Sequence, residues 1–127
     1  MAAYATHDLP TIAGLWTGAE LRAQRALGAH ANEPGARDLQ DRLRALTGLA
    51  PETPARQVIE ATCRRIAEAP SAILTAALED AFASEDRPNI PGTTSEWPNW
   101  SLALPGSLES LASDPLPRRI AQALARR

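Results

Sequence analysis

Two short polar segments carry the residue types that could do chemistry, and the first is a histidine next to a carboxylate. His7 and Asp8 follow a small, uncharged stretch and precede a leucine-proline pair. Such a pair can move a proton or hydrogen-bond a polar ligand. In a parallel α/β barrel the carboxyl ends of the strands carry the catalytic groups, so a His-Asp pair between a strand and a helix suits that role. The alternative is structural: Asp8 caps the following helix, and His7 is a partly buried hydrogen-bonding side chain.

The second segment is a polar stretch near the C-terminus that contains two tryptophans. It reads Arg87-Pro-Asn-Ile-Pro-Gly-Thr-Thr-Ser-Glu-Trp-Pro-Asn-Trp100. Amides, hydroxyls and a carboxylate stand beside flat aromatic faces, a mixture that matches the hydroxyl rim and the C–H faces of a sugar. Trp97 and Trp100 have an alternative role, in which they fill the base of a hydrophobic core.

The other reactive residue types favour plain structural roles. Cys63 falls on an apolar helix face and is predicted to be core, and His30 falls in a polar connection and is predicted to be solvated. One cysteine and two histidines give no zinc-ligand spacing, and the chain has neither a glycine-rich phosphate loop nor a G-x-S-x-G motif. The sequence therefore predicts no metal site and no cofactor.

The elements that position these segments are predicted to be mostly helices. Hydrophobic residues make up 44% of the chain but aromatic ones only 4%, so alanine and leucine dominate, which favours helices over sheets. A short buried strand is predicted in residues 1–8. Residues 71–78 fit either a buried strand, which is favoured, or a buried helical turn. Three helices are predicted at residues 10–16, 38–47 and 79–84. A further helix is predicted to start at a Thr17-Gly-Ala-Glu20 capping box and to end at about Leu27. Two more are predicted to follow N-caps, one after Thr53 and one from Asp114 to the basic end at 126–127. Irregular connections are predicted at 29–35 and 85–105.

Charge and cysteine usage restrict the partners and the compartment. The 13 basic residues, all arginine, and 15 acidic residues leave a formal net charge of −2, which offers no field for nucleic acid. No stretch approaches eighteen apolar residues, and the start lacks the features of a signal peptide. A single cysteine excludes an intrachain disulfide. These features predict a cytoplasmic protein with no membrane and no nucleic-acid partner.

Both polar segments resemble the C-terminal part of the 4-α-glucanotransferases, the amylomaltases or disproportionating enzymes of the α-amylase clan. The resemblance rests on Ala5-Thr-His-Asp-Leu-Pro-Thr11 and on Asn89-Ile-Pro-Gly-Thr-Thr-Ser-Glu-Trp-Pro-Asn-Trp100, in that order and at that separation. The Leu15-Trp16 pair and the Pro70-Ser-Ala-Ile-Leu74 stretch are similar as well. The resemblance covers essentially the whole chain.

The resemblance implies a fold and a reaction. The fold is α/β: residues 1–127 form a single segment, the C-terminal portion of a (β/α)8 barrel, predominantly α-helical with about two short parallel strands. The reaction is the transfer of α-1,4-glucan segments to the 4-OH of glucose or another glucan, with retention. The implied partners are an α-1,4-glucan and the missing N-terminal portion of the barrel, or self-association in its absence.

The resemblance also implies roles for individual residues. Asp8 matches the clan's third carboxylate, which stabilises the transition state, and His7 matches a histidine that binds sugar in the −1 subsite. Asn89 and the Pro91-Gly92 turn resemble a loop that borders that subsite. The family's nucleophile and acid/base lie upstream of any residue in this sequence, so the segment alone is expected to be inactive. The alternative is a non-catalytic helical interaction or glucan-binding module derived from such an enzyme.

Overall fold

The computed structural model describes residues 1–28 and 32–125. The predictions for His30 and for the basic end at 126–127 therefore lie outside the described residues. In chain order the described elements are β1 (Ala2–Ala3), α1 (Ile12–Thr17), α2 (Ala19–Ala26), α3 (Glu33–Thr47), α4 (Ala55–Ala67), β2 (Leu74–Thr75), α5 (Leu78–Ala81), α6 (Leu108–Ser113) and α7 (Pro115–Leu124). None of the described helices has the length and apolar character needed to span a bilayer.

The two strands form a short parallel pair, and helices make up 52% of the chain, so the predicted fold class is confirmed. Ala2 lies opposite Leu74 and Ala3 opposite Thr75, and the N–H of Ala2 donates to the carbonyl of Ile73 at 2.8 Å. The prediction that the strands are buried is wrong, since Ala3 and Thr75 are exposed. Within the described residues no further strand pairs with β1 or β2, and this leaves the outer edges of the pair open.

The core lies on α4, which packs against α7, α1 and α3. Val58, Ile59 and Cys63 are completely buried on one face of α4, in agreement with the predicted apolar face and with the predicted core position of the cysteine. Trp16 at the end of α1 and Ile120 on α7 close over this face. Burial of these apolar side chains fixes the helices that flank the polar segments.

Helix α1 begins one turn after Asp8, so the interpretation of Asp8 as a helix cap is wrong. Thr11 is the N-cap, and its hydroxyl accepts the N–H of Gly14 at 3.0 Å. Pro10 was expected within the first helical turn but precedes the cap. Its ring disfavours helical geometry at the preceding Leu9, and the helix therefore starts at the next residue that offers a capping hydroxyl.

The predicted capping box at the start of α2 is also wrong, although the helix ends near Leu27 as predicted. Gly18 is the N-cap, in the left-handed conformation and without a side-chain cap. The Glu20 carboxylate does not reach back to a backbone N–H at the start of α2, as a capping box requires, because it turns inward and pairs with Arg87. A buried partner 67 positions away replaces the local backbone donor.

Two other helix starts differ from their predictions. α3 begins at Glu33, within the stretch predicted as a connection, because the Asn32 side chain accepts the N–H of Gly35 at 3.1 Å and caps it there. α4 has Pro54, not Thr53, as its N-cap. The Thr53 carbonyl instead accepts the indole N–H of Trp16 at 2.7 Å. This last bond attaches α1 to the start of α4.

The C-terminal half agrees more closely with its predictions. α7 is capped by Asp114, whose carboxylate accepts the N–H of Leu116 at 2.8 Å, as predicted. α5 is shorter than its predicted span of 79–84, and α6 was not foreseen. The irregular segment at 85–105 contains no helix or strand, also as predicted. It is held in place by its own hydrogen bonds, including one of 2.8 Å from the N–H of Trp100 to the carbonyl of Pro88.

Candidate functional site

The two polar segments meet in the structure. The side-chain amide of Asn89 donates to Oδ1 of Asp8 at 2.8 Å. Asp8 lies in the loop between β1 and α1, and Asn89 lies in the irregular segment after α5. The parallel pairing of β1 with β2 brings the two loops to the same edge, because the carboxyl ends of parallel strands point the same way.

His7 supplies the second partner of the Asp8 carboxylate. Its Nε2 lies 3.2 Å from Oδ2 of Asp8, and both side chains are more than half exposed. Each carboxylate oxygen therefore has one protein partner, whereas an ionised carboxylate offers about four lone-pair positions. The unused positions face solvent and can accept hydroxyl groups from a ligand.

The two tryptophans take different places. Trp97 is half-buried, and its indole N–H donates to the carbonyl of Arg87 at 3.1 Å, so this residue packs. Trp100 is 64% exposed, and its ring lies 5.4 Å from the His7 ring at 49°. Its backbone has φ of +61°, a conformation that side chains other than glycine rarely adopt and that marks functional positions more often than others.

The predicted Pro91-Gly92 turn lies next to Asp8. Gly92 has φ of +85°, which only glycine adopts without strain, and the N–H of Thr93 closes the turn on the carbonyl of Ile90 at 3.2 Å. Pro91 and Asp8 line one cleft of about 370 Å³. His7 and Trp100 line a second cleft of about 400 Å³. The His-Asp pair thus stands between two clefts of ligand size.

A buried acid lies beneath the site. Burial raises the pKa of Asp80 to about 6, against a hydrogen bond of 3.0 Å from the N–H of Ile12 that lowers it. The Asp80 carboxyl faces Tyr4 and Cys63, and burial together with that carboxyl raises the pKa of Tyr4 as well. Burial likewise raises the pKa of Cys63, to about 11. This cluster bonds to the first residue of α1, and none of its three side chains lines either cleft.

No group of three or more potential metal ligands occurs in residues 1–28 and 32–125. The site's chemistry is therefore that of one carboxylate, one imidazole, an amide and an aromatic face. Groups of these types can hydrogen-bond the hydroxyls of a ligand and stack on its rings.

A comparison with protein families decides the relationship. The model of the family described as 4-alpha-glucanotransferase matches residues 1–108. The chain belongs to the 4-alpha-glucanotransferase family. The resemblance drawn from the two polar segments is thereby confirmed.

Named relatives agree with this membership. The 4-alpha-glucanotransferases of Mycobacterium bovis and Mycobacterium tuberculosis are each 35% identical to the chain over 118 residues, covering 84% of it. The crystal structure of amylomaltase from Corynebacterium glutamicum matches 98% of the chain at a TM-score of 0.81 and 26% identity. The chain spans 16% of the length of the mycobacterial relatives and 21% of the amylomaltase chain. It has the fold of a portion of the (β/α)8 barrel.

Two residues next to the candidate site, Arg87 and Glu20, were not predicted from the sequence of this 4-alpha-glucanotransferase segment. The Arg87 guanidinium lies directly behind the site, and Glu20 from α2 pairs with it. In the sequence Arg87 is only the first residue of the polar segment, and the spacing of Glu20 predicts a capping box. No local spacing links residues 67 positions apart, so only the three-dimensional structure reveals the pair.

Proposed function

We propose that residues 1–127 are the C-terminal part of the catalytic barrel of a 4-α-glucanotransferase. Such an enzyme transfers α-1,4-glucan segments to the 4-OH of glucose or another glucan, with retention. One observation carries the proposal: Asp8 and Asn89, each in a segment that resembles the family's sugar-binding site, are joined by a 2.8 Å hydrogen bond at one edge of the fold.

Asp8 is the transition-state-stabilising carboxylate in this proposal. Asn89 and His7 hold one oxygen each, which fixes the orientation of the carboxylate, and the remaining lone pairs face solvent. A sugar bound there donates its hydroxyl hydrogens to these lone pairs. The interaction strengthens as positive charge develops on the sugar ring, and it therefore acts mainly in the transition state.

The substrate-binding residues are His7, Asn89, Pro91 and Gly92. The imidazole of His7 is exposed and has a nitrogen that can hydrogen-bond a sugar hydroxyl. Asn89 keeps further amide hydrogen-bonding capacity beyond its bond to Asp8. The Pro91-Gly92 turn is exposed and forms a rim of the cleft beside Asp8.

The covalent chemistry belongs to the rest of the barrel. In a retaining transfer one carboxylate attacks the anomeric carbon while an acid protonates the leaving 4-oxygen. The acceptor 4-OH then loses its proton to the same residue and displaces the enzyme carboxylate. The family resemblance assigns both groups to upstream strands that residues 1–127 do not include, so this segment alone is inactive in the proposal.

The partners follow from the same reading. The substrate is an α-1,4-glucan, and the upstream portion of the barrel packs on the exposed side of the strand pair, with self-association in its absence. Neither a cofactor nor a metal is required. The single cysteine, which is free and buried, supports a reducing, cytoplasmic setting.

The decisive experiment joins this segment to a barrel. A chimera replaces the matching segment of the Mycobacterium tuberculosis 4-alpha-glucanotransferase with residues 1–127, and glucose release from maltotriose is measured. We expect the chimera to release glucose and longer maltodextrins, and the 127-residue chain alone to release none. The mycobacterial barrel without its own segment is the matched control, and it should also be inactive.

The alternative, a non-catalytic helical interaction or glucan-binding module, gives a different pattern. It predicts a folded but inactive chimera, together with a 127-residue chain that binds maltodextrin or a protein on its own. Isothermal titration of the chain with maltoheptaose measures that binding. A folded, inactive chimera would overturn the enzyme proposal.

A further inference from the structure

We propose that Arg87 is a positioning residue for Asp8, with its guanidinium holding the backbone of both polar segments so that the Asn89 amide reaches the Asp8 carboxylate. This inference rests on the proposed function. It adds a residue that neither the sequence pattern nor the family resemblance singled out.

The guanidinium contacts the backbone of both site residues. Nη2 of Arg87 donates to the carbonyl of Asp8, and Nε donates to the carbonyl of Asn89 at 2.7 Å. One rigid, planar group therefore sets the distance between the two backbones whose side chains meet. Arg87 is only 5% exposed, and neighbouring side chains restrict it to this geometry.

The remaining nitrogen of the Arg87 guanidinium, Nη1, is held by a buried acid. Nη1 of Arg87 donates to Oε1 of Glu20 at 2.8 Å, and Glu20 is also only 5% exposed. Nε2 of Gln24 donates to the same oxygen at 2.8 Å, and Oε1 of Gln24 accepts the N–H of Asn32 at 3.0 Å. The arginine is thereby anchored to α2 and to the start of α3, which belong to the packed helices.

The buried positive charge of Arg87 requires a partner that compensates for its loss of hydration. Removing a guanidinium from water is costly unless it is paired and hydrogen-bonded, and a buried ion pair is often no more stabilising than apolar residues of the same size. Stability alone is therefore a weak reason for an Arg-Glu pair here. What the pair does provide is a fixed distance between the carbonyl groups of Asp8 and Asn89, which lie on different loops.

Lysine cannot reproduce this arrangement. Its ammonium is a single point on a flexible stem, so it can pair with Glu20 but cannot also bridge two carbonyls in fixed directions. Arg87→Lys thus keeps the buried charge and loses the geometry. Glu20→Gln does the reverse, because the glutamine oxygen still accepts from Nη1 while the arginine loses its counter-charge.

These two variants in the chimera separate positioning from stability. We expect Arg87→Lys to lower kcat for maltotriose disproportionation about 10- to 100-fold with less change in KM, because misplacing a catalytic group by up to 1 Å costs that much. We expect Glu20→Gln to lower the melting temperature more than Arg87→Lys does and to keep kcat within about threefold. Arg22→Lys, which alters an exposed pair with Glu85, is the matched control and should change neither.

Each other outcome overturns the inference. A normal kcat in Arg87→Lys would show that the fork is not needed. An unfolded Arg87→Lys, or a kcat loss that follows the fall in melting temperature equally in both variants, would make the pair purely structural. The Asp8→Asn chimera tells a failure of the proposed function from a failure of the positioning role. If Asp8→Asn is active, the proposed function itself is contradicted. If Asp8→Asn is inactive and Arg87→Lys is normal, only the positioning role of Arg87 is contradicted.

Discussion

The side-chain amide of Asn89 donates to the Asp8 carboxylate at 2.8 Å across 81 positions of the chain. The first prediction concerns this carboxylate. In the chimera, Asp8→Asn should lower kcat at least about 10²-fold, since the neutral amide cannot stabilise the positive charge of the transition state. The melting temperature should stay nearly unchanged, because Asp8 caps no helix. Asp41→Asn, an exposed acid on α3, is the control for loss of a negative charge.

The second prediction concerns the cap that the structure assigns to Thr11. The Thr11 hydroxyl accepts from Gly14 and donates to the carbonyl of Glu85 at 3.3 Å, so Thr11→Ala should cost about 0.5–2 kcal/mol of unfolding free energy. Asp8→Ala should cost less. Urea denaturation of the 127-residue chain measures both. A larger loss in Asp8→Ala would restore the capping interpretation that the structure contradicts.

The third prediction separates the two tryptophans. Trp100→Ala should raise KM for maltotriose about 2- to 10-fold at constant melting temperature, because an exposed aromatic contact is worth about 0.5–1.5 kcal/mol. Trp97→Phe removes the bond to the Arg87 carbonyl and should instead cost about 1 kcal/mol of stability at constant KM. Reversed effects would mean that Trp97 meets the sugar and Trp100 only packs.

The fourth prediction is a pH dependence that originates at Asp80. The pKa of this group is raised from its ordinary 3.8 to about 6 in the folded chain, so the protonated form favours folding. That contribution is complete below about pH 3.8 and is lost as the pH rises through about 6, a total of about 3 kcal/mol. The difference in unfolding free energy between Asp80→Asn and the unmodified chain should therefore grow by about this amount from acid to neutral pH. A difference that stays constant from acid to neutral pH would contradict this prediction.

The fifth prediction concerns the strand pair in the isolated chain. Ile73 is 59% exposed beside β2, and Met1 next to β1 is exposed as well. Because exposed apolar side chains beside an unpaired strand edge favour association, the molar mass measured by light scattering should rise with protein concentration. Ile73→Lys should suppress this rise, because a charge at a sheet edge opposes pairing with another copy. Leu46→Lys places the same charge on α3 and should have little effect. A constant monomeric mass over the whole range would sink the prediction.

The helices were predictable where local chemistry alone determines them. Asp114 followed by a proline marks the start of α7, and the spacing of Val58, Ile59 and Cys63 marks the buried face of α4. Capping and apolar periodicity act over one or two turns, and a sequence displays them directly.

Predictions failed where a distant partner competes with a local one. Glu20 has the right spacing for a capping box, yet the buried guanidinium of Arg87 binds its carboxylate more strongly than an exposed backbone N–H could. Asp8 has the right residue type for a cap, yet it takes Asn89 as its partner. The candidate site could be predicted from sequence because its two segments resemble a family, whereas Arg87, which bonds to the backbone of both segments, belongs to no local pattern.

The pairing of Ala2 with Leu74 joins two strands that are far apart in the chain, and this leads us to expect a particular order of folding. Helices form from local contacts within microseconds, whereas two parallel strands far apart in the chain must first close a long loop. We therefore expect the helical core to assemble before β1 docks, and His7 and Asp8, which follow β1, to reach Asn89 after that core has formed. We therefore expect the amide hydrogens of Ala2 and Ala3 to exchange with solvent much faster than those of α4, so that the candidate site opens before the helical core does.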